Sequence, residues 1–304
     1  VGVEDGSFTF ANLAPRLNWN LENGDTLTSQ TFLNAGKFKT RTNEVASTAI
    51  GAPAPYPNLD LANESKNNYF RTELNWVHKM ADGAKLDTKL GVQRGDSDTE
   101  QRRVTPAGAA RPLDNHITSN SEDRGVTSTG KFSKTIFEGH ALGMGWDGGY
   151  NTREDERVEL EAGRLVFPGL PDGEQFEAQV TRLALYAQDE WSLSPRLSVY
   201  LGARWEGIRI RTSGNTFDTG HSGSSVWSPV LQTLWKIPET KGDQLRFAVT
   251  RTYKAPNVSS LIPRRQTSVD NRSTEPDYQG NPDLQPELAL GFDLSYEHYW
   301  ACLL

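Results

Sequence analysis

From Leu197 to Glu206 apolar and polar residues alternate without exception. Leu197, Val199, Leu201, Ala203 and Trp205 stand against Ser198, Tyr200, Gly202, Arg204 and Glu206. A period of two predicts a strand with one apolar face. The pattern returns in Leu13–Leu21, Phe70–Met80, Leu86–Val92, Leu142–Tyr150, Leu245–Tyr253 and Leu288–Trp300, and more loosely over 26–42, 126–136 and 226–236. In Leu183–Leu193 Asp189 is the one charged residue on the apolar face. The reading is all-β, with about eleven strands of roughly ten to fifteen residues, enough to cross a bilayer at a tilt.

Alternation alone does not separate a membrane barrel from a soluble sandwich, whose polar faces can meet water. Tryptophan placement and loop lengths do. Trp19, Trp76, Trp191 and Trp235 each precede a short polar turn: Asn23-Gly24, Asp82-Gly83, Ser194-Pro195 and the Pro238–Asp243 stretch. Trp300 stands near the end of the sequence. An indole has an apolar ring and an N–H that seeks a wet partner, so a repeated depth in a hairpin sheet marks a membrane–water interface. Between the tight turns lie long polar connections, expected over 43–68, 99–122, 161–179, 214–225 and 255–287. Short turns at one end and long loops at the other describe an antiparallel up-and-down transmembrane barrel, with turns in the periplasm and loops outside.

The bulk numbers are compatible. The chain has 304 residues, a formal charge of −7 and 36% hydrophobic residues, with a mean hydropathy of −0.62. No apolar run approaches the roughly 20 residues of a membrane helix. A barrel hides its hydrophobicity in every second position. The acidic balance argues against a nucleic-acid partner. Cys302 is alone, so no internal disulfide forms, which fits a bacterial envelope. Val1–Asp5 carries no signal-peptide pattern, which implies a removed leader or an internal piece.

Two stretches resemble the barrel of TonB-dependent outer-membrane receptors. The first is Tyr186-x-Gln188-Asp189 on one strand followed by Leu-x-Gly202-x-Arg204 on the next. The second is Arg251-x-x-x-Ala255-Pro256, leading through a long loop to Gly280-Asn281-Pro282-x-Leu-x-Pro286-Glu287. Pro256 cannot donate to a ladder and ends its strand. Gly280 tolerates positive φ, and Asn281 before proline is held extended. These residues read as a structural loop base rather than ligand contacts.

The resemblance implies a complete protein with a barrel of about 22 strands around an N-terminal plug domain. It implies uptake of a scarce large solute, most often a ferric siderophore, otherwise cobalamin, haem or a glycan. It also implies energy supplied by the TonB complex pulling on the plug, and no catalytic residues or cofactor. Neither a plug nor a TonB-contacting segment is found in residues 1–304, which are expected to form a partial barrel domain of about half the strands. Such a piece is expected as an open, curved sheet with edges near residues 8–21 and 288–300. The expected location is the outer membrane of a Gram-negative bacterium, in contact with lipid and lipopolysaccharide.

Ligand candidates lie in the long connections. Arg264, Arg265, Arg272 and Tyr278 could grip an anionic iron chelate, since guanidinium binds carboxylates bidentately and aromatics stack on flat ligands. Tyr56 in the Pro-rich Ala52–Pro57 stretch is of the same kind. Glu154, Asp155 and Glu156 could hold a divalent cation bridging lipopolysaccharide phosphates, although a charged rim accounts for them better. The five histidines, His78, His116, His140, His221 and His298, have no ligand spacing, so no metal is assigned. Two alternatives remain: a passive porin, and an outer-membrane hydrolase using a serine with His116 or His221.

Overall fold

The computed structural model describes residues 2–51, 53–240, 242–263, 265–268, 271, 273 and 276–298. Arg264, Arg272 and Trp300 lie outside the described residues. The strands are β1 (Gly2–Leu13), β2 (Arg16–Asn20), β3 (Thr26–Val45), β4 (Asn58–Lys79), β5 (Lys85–Val104), β6 (Asp114–Phe137), β7 (His140–Glu161) and β8 (Arg164–Leu165). They continue as β9 (Glu174–Ser194), β10 (Leu197–Gly214), β11 (Gly220–Lys236) and β12 (Gln244–Lys254). The last connection holds a one-turn helix α1 (Val258–Leu261) and the short pair β13 (Arg265–Gln266) and β14 (Tyr278–Gln279), before β15 (Glu287–Glu297).

One antiparallel sheet runs β1-β3-β4-β5-β6-β7-β9-β10-β11-β12-β15, with β2 beside β3 and β8 beside β7. The strands on the path follow one another in chain order, with only the short β2, β8, β13 and β14 set aside, as in an up-and-down barrel. The sheet does not close: β1 and β2 form one edge and β15 the other. β1 and β2 are one edge strand interrupted at Ala14-Pro15, where proline has no N–H to give, though its carbonyl still accepts the Thr31 N–H at 3.0 Å.

Strand length departs from the sequence reading. The outer connections are 46–57, 105–113, 162–173, 215–219 and 255–286, and the first four are much shorter than expected. β6 has 24 residues and β4 and β7 have 22, where a membrane needs about ten. Polar segments such as Asn63–Asn68 and Asp96–Gln101 read as loop because neither face is apolar. They pair in full register, Asn67 opposite Ser97 and Ser65 opposite Thr99, because ladder hydrogen bonds require no apolar side chain.

Residues directly opposite in an antiparallel pair share a face, so the register propagates inside and outside across the sheet. The outward face carries Leu90, Leu185 and Leu201, each half exposed or more. An apolar surface this continuous calls for a nonaqueous neighbour. The buried apolar clusters lie on the opposite, lumenal face and only toward the outer ends of β9 and β10.

Candidate functional site

The first family-like motif is a cross-strand unit. Gln188 stands opposite Gly202 and Tyr186 opposite Arg204, an alignment invisible from spacing alone. All four face the lumen. Gln188 Oε1 accepts the Tyr200 hydroxyl at 2.7 Å. A Cβ on Gly202 would stand 3.0 Å from Val230 Cγ1 and 3.2 Å from Gln188 Cβ, so glycine makes room for the flanking side chains. The Arg204 guanidinium lies 5.9 Å over the Tyr186 ring and pairs with Asp147 at 3.2 Å and Glu206 at 2.9 Å. Asp147 also holds Arg182 at 3.0 Å. Tyr186, Gln188, Tyr200, Arg204, Glu206 and Asp147 line an open concavity of about 760 Å³. Asp189 falls on the outward register and pairs with His140 at 2.7 Å. Arg251 reaches both this lumenal concavity and an outward apolar hollow.

The second motif frames a strap. Above Ala184 on β9 and Glu206 on β10 the polarity of the two faces exchanges. Phe176, Ala178, Val180, Ile208 and Ile210 are buried on the lumenal side, while Gln179, Thr181, Arg209 and Arg211 point outward. The apolar lumenal patch is covered by the 255–286 connection: Leu261 is fully buried against Val180, Ile208 and Ile210, with Ala255 packed alongside. Ile262 packs with Phe176 and Ala178. Gly280 closes the strap on itself, since a Cβ there would collide with the Ile262 carbonyl oxygen. The neighbouring Asn281 N–H donates to the Ser260 carbonyl at 2.8 Å. Pro256 ends β12; Pro282 and Pro286 sit half-buried before β15, and Glu287 pairs with Lys254 at 3.4 Å.

Past the helix the strap is pinned by charge. Arg157, 3% exposed, pairs with Glu159 at 2.6 Å and Glu174 at 2.8 Å. Its guanidinium donates to Thr267 Oγ1 at 3.0 Å, and Arg103 donates to the Thr267 carbonyl at 3.2 Å. The connection that leaves β12 therefore runs over β10 and β9 to β7 and β5.

The ligand candidates are less concentrated. Arg265 enters through its backbone, opposite Gln279, and Tyr278, opposite Gln266, is 65% exposed. Tyr56 stacks under Arg111 at 4.7 Å beside a notch of about 290 Å³ that also touches Arg103, Asn115, Glu159 and Asp277. Asn115 Oδ1 is buried there without a hydrogen bond among the described residues. Glu154, Asp155 and Glu156 do not converge. Asp155 is buried on the lumenal face against Arg153 at 2.9 Å, while alternation turns its two neighbours outward. No cluster of metal-ligating side chains occurs among the described residues. His116 is held by Glu100 at 2.9 Å rather than by a serine.

Two rim features escaped the sequence reading. Trp19, Leu27 and Trp76 form one inner row, and Trp191 and Trp235 are likewise exposed on the outward face. A second row, Trp146-Leu185-Trp205-Trp227, crosses β7, β9, β10 and β11 in direct register. Trp227 precedes Trp235 by eight residues, about 27 Å along a strand. On β10 and β11 the next outward residues beyond that row are glycine, serine or arginine, while on β9 Leu183 follows before Thr181. The signal was present, because all three extra indoles occupy apolar parity. The second feature is a set of His–Asp pairs stacked on inner-rim rings. His78 meets Asp25 at 2.9 Å beside Trp76, His140 meets Asp189 beside Trp191, and His298 meets Asp243 at 2.8 Å beside Tyr296. Burial alone would raise the Asp25 carboxyl; hydrogen bonds from His78, the Lys79 N–H, Asn23 and Trp76 outweigh it and hold the pKa at about 2. A fifth tight turn, Glu138-Gly139, joins β6 to β7.

Two aromatic rows bounding an apolar outward band, with a polar inner wall, define the wall of a membrane-spanning β-barrel. The family profile described as "TonB dependent receptor-like, beta-barrel" matches residues 6–301, and the chain belongs to that family. A search of curated proteins finds no match. Among solved structures, the siderophore receptor PiuA from Acinetobacter baumannii aligns at 10% identity and a TM-score of 0.50, covering 97% of this chain and 54% of that one. The unliganded ferric citrate transporter FecA aligns at 12% identity and 0.42, covering 98% and 49%. The ferripyoverdine receptor of Pseudomonas aeruginosa aligns at 11% and 0.45, covering 84% and 42%. The chain thus spans about half the length of these structures, and the likeness is one of fold.

Proposed function

We propose that this chain is part of the wall of an outer-membrane receptor that takes up a scarce large solute, a ferric siderophore first among the candidates. TonB would energise it through a plug that belongs to the complete protein. The observation that carries the reading is the family match across residues 6–301, together with the in-register meeting of Tyr186 and Gln188 with Arg204 and Gly202. The family is one of transport receptors, so the hydrolase alternative loses its support. Arg264, Arg265, Arg272 and Tyr278 remain the proposed grip on an anionic chelate, and Trp19, Trp76, Trp191, Trp235 and Trp300 the proposed inner girdle.

The test is uptake of a labelled ferric siderophore by iron-limited cells carrying the complete protein, with and without TonB. Uptake that stops when TonB is deleted supports the receptor. Uptake that persists, together with passage of small sugars through reconstituted bilayers, favours the porin. Unchanged uptake by an Arg264→Ala, Arg265→Ala double variant would remove the proposed chelate grip alone.

A further inference from the structure

The exchange of polarity seen on β9 and β10 recurs at the far edge of the sheet, on β1 and β3. Low on these strands Leu13 and Leu33 stand opposite each other on the outward face, and Asn34 donates to Asn12 on the lumenal one. Above Ala11 and Ala35 the outward pair is Thr9 and Lys37, while Phe8, Phe10 and Phe38 take the lumenal register. Phe8 stacks on Phe10 with ring centroids 5.1 Å apart, and Phe38 meets Phe8 edge-on at 6.3 Å. Gly36 lies opposite Phe10. A Cβ there would sit 3.7 Å from the Phe8 ring, which therefore lies close over the β3 backbone. The three rings form one aromatic shelf. It is bare: Phe8 is 63% exposed and Phe10 57%, where Phe176 and Ile210 under the strap are 4% and 6%.

We infer that the shelf seats a second strap, the outer connection that leads into β1 in the complete protein. β1 starts at the outer rim, since Gly2 pairs with Glu44 at the top of β3. That connection therefore arrives about 20 Å from Phe8, six residues along a strand. The described connections leave the shelf open. Residues 46–57 close on themselves, with the Ala46 N–H donating to the Pro57 carbonyl at 2.8 Å, and the 255–286 strap is anchored on β9 and β10. A strand paired with the free side of β1 would set its side chains alongside the rings, leaving their lumenal faces uncovered. The first strap shows what fits: Leu261 and Ile262, two adjacent apolar residues in a polar connection, cover the matching patch. The inference rests on the reading of the chain as part of a barrel wall and gives that wall a second inward-folded connection.

The experiment replaces Phe10, and separately Phe38, with p-benzoylphenylalanine in the complete protein, irradiates intact cells and maps the crosslinked residues by mass spectrometry. Each variant keeps two of the three rings in place. Crosslinks to the connection that precedes Gly2 are expected, and none to it from the same replacement at Thr9 on the outward face. They should be lost when that connection is replaced by a short Gly-Ser linker. Crosslinks to the plug, to added ferric siderophore or to nothing overturn the second strap while leaving the receptor reading intact. A parent protein absent from the outer-membrane fraction overturns both.

Discussion

The inner and outer halves of β9 and β10 share one register and one alternation, yet their faces carry opposite chemistry. Below Ala184 and Glu206, leucine and tryptophan point outward and Tyr186, Gln188 and Arg204 point into the lumen. Above that level, Arg209 and Arg211 point outward, and Ile208 and Ile210 are buried on the lumenal side. Periodicity sets which residues share a face, but what lies beyond each face decides which should be apolar. In the inner half lipid lies outside. In the outer half water lies outside, and the strap, anchored by Leu261 and Ile262, lies within.

The largest break in this comparison is expected at the charged end of the strap. Arg157→Ala leaves Glu159 and Glu174 buried without their cation, at a cost of about 3–5 kcal/mol. Denaturant unfolding of the complete protein should register the loss, with earlier protease cleavage in the 255–286 connection. Leu261→Ala should cost about 2–5 kcal/mol by emptying a fully buried site. Its effect should be local: faster amide exchange in the strap and at Val180 and Ile208, with the inner strands unchanged.

A third substitution pair tests the outward face directly. Leu201→Arg places a charge in the apolar band and should destabilise the reconstituted protein by about 2–4 kcal/mol. Thr181→Arg lies on the same face beyond the polarity exchange and should stay within about 0.5 kcal/mol of the parent. Equal costs at the two positions would mean that the membrane boundary is not where the faces exchange.

Much of the wall was legible in the sequence because a lipid-facing strand must be apolar at every second position, as Leu197–Trp205 is. The edges and the openness of the sheet followed from strand count. The outer strand extensions were not legible, because Asn63–Asn68 and Asp96–Gln101 are polar on both faces and pair through the backbone ladder and polar contacts such as Thr99 to Ser65. The strap was hidden for a different reason. Leu261 and Ile262 are two apolar residues in a long polar connection, and their partners on β9 and β10 lie on a face that reads as polar lower down. The rim histidines looked scattered because each meets its carboxylate across strands or from a turn: Asp25 is far from His78 in sequence and 2.9 Å away in space.

That rim offers the smallest effect and the sharpest contrast with the outer half, whose charges stand in solvent or in the buried strap network. Asp25, 2% exposed, closes the first tight turn: Asn23 Oδ1 accepts the Asp25 N–H at 3.1 Å, and Gly24 adopts φ 83°, which a side chain would strain. Its carboxylate accepts the Trp76 indole N–H at 3.1 Å and the Lys79 N–H at 3.1 Å. The folded pKa of about 2 lies below the ordinary 3.8, so the folded turn favours the charged form. Its contribution is fully present above about pH 4 and is lost as pH falls toward 2. The indole N–H NMR signal of Trp76 should therefore hold its position down to pH 4 and shift between there and pH 2. Asp25→Asn should abolish that shift while leaving Trp191 and Trp235 unaffected. A Trp76 signal that still shifts between pH 4 and pH 2 in the Asp25→Asn variant would remove Asp25 from the control of this rim.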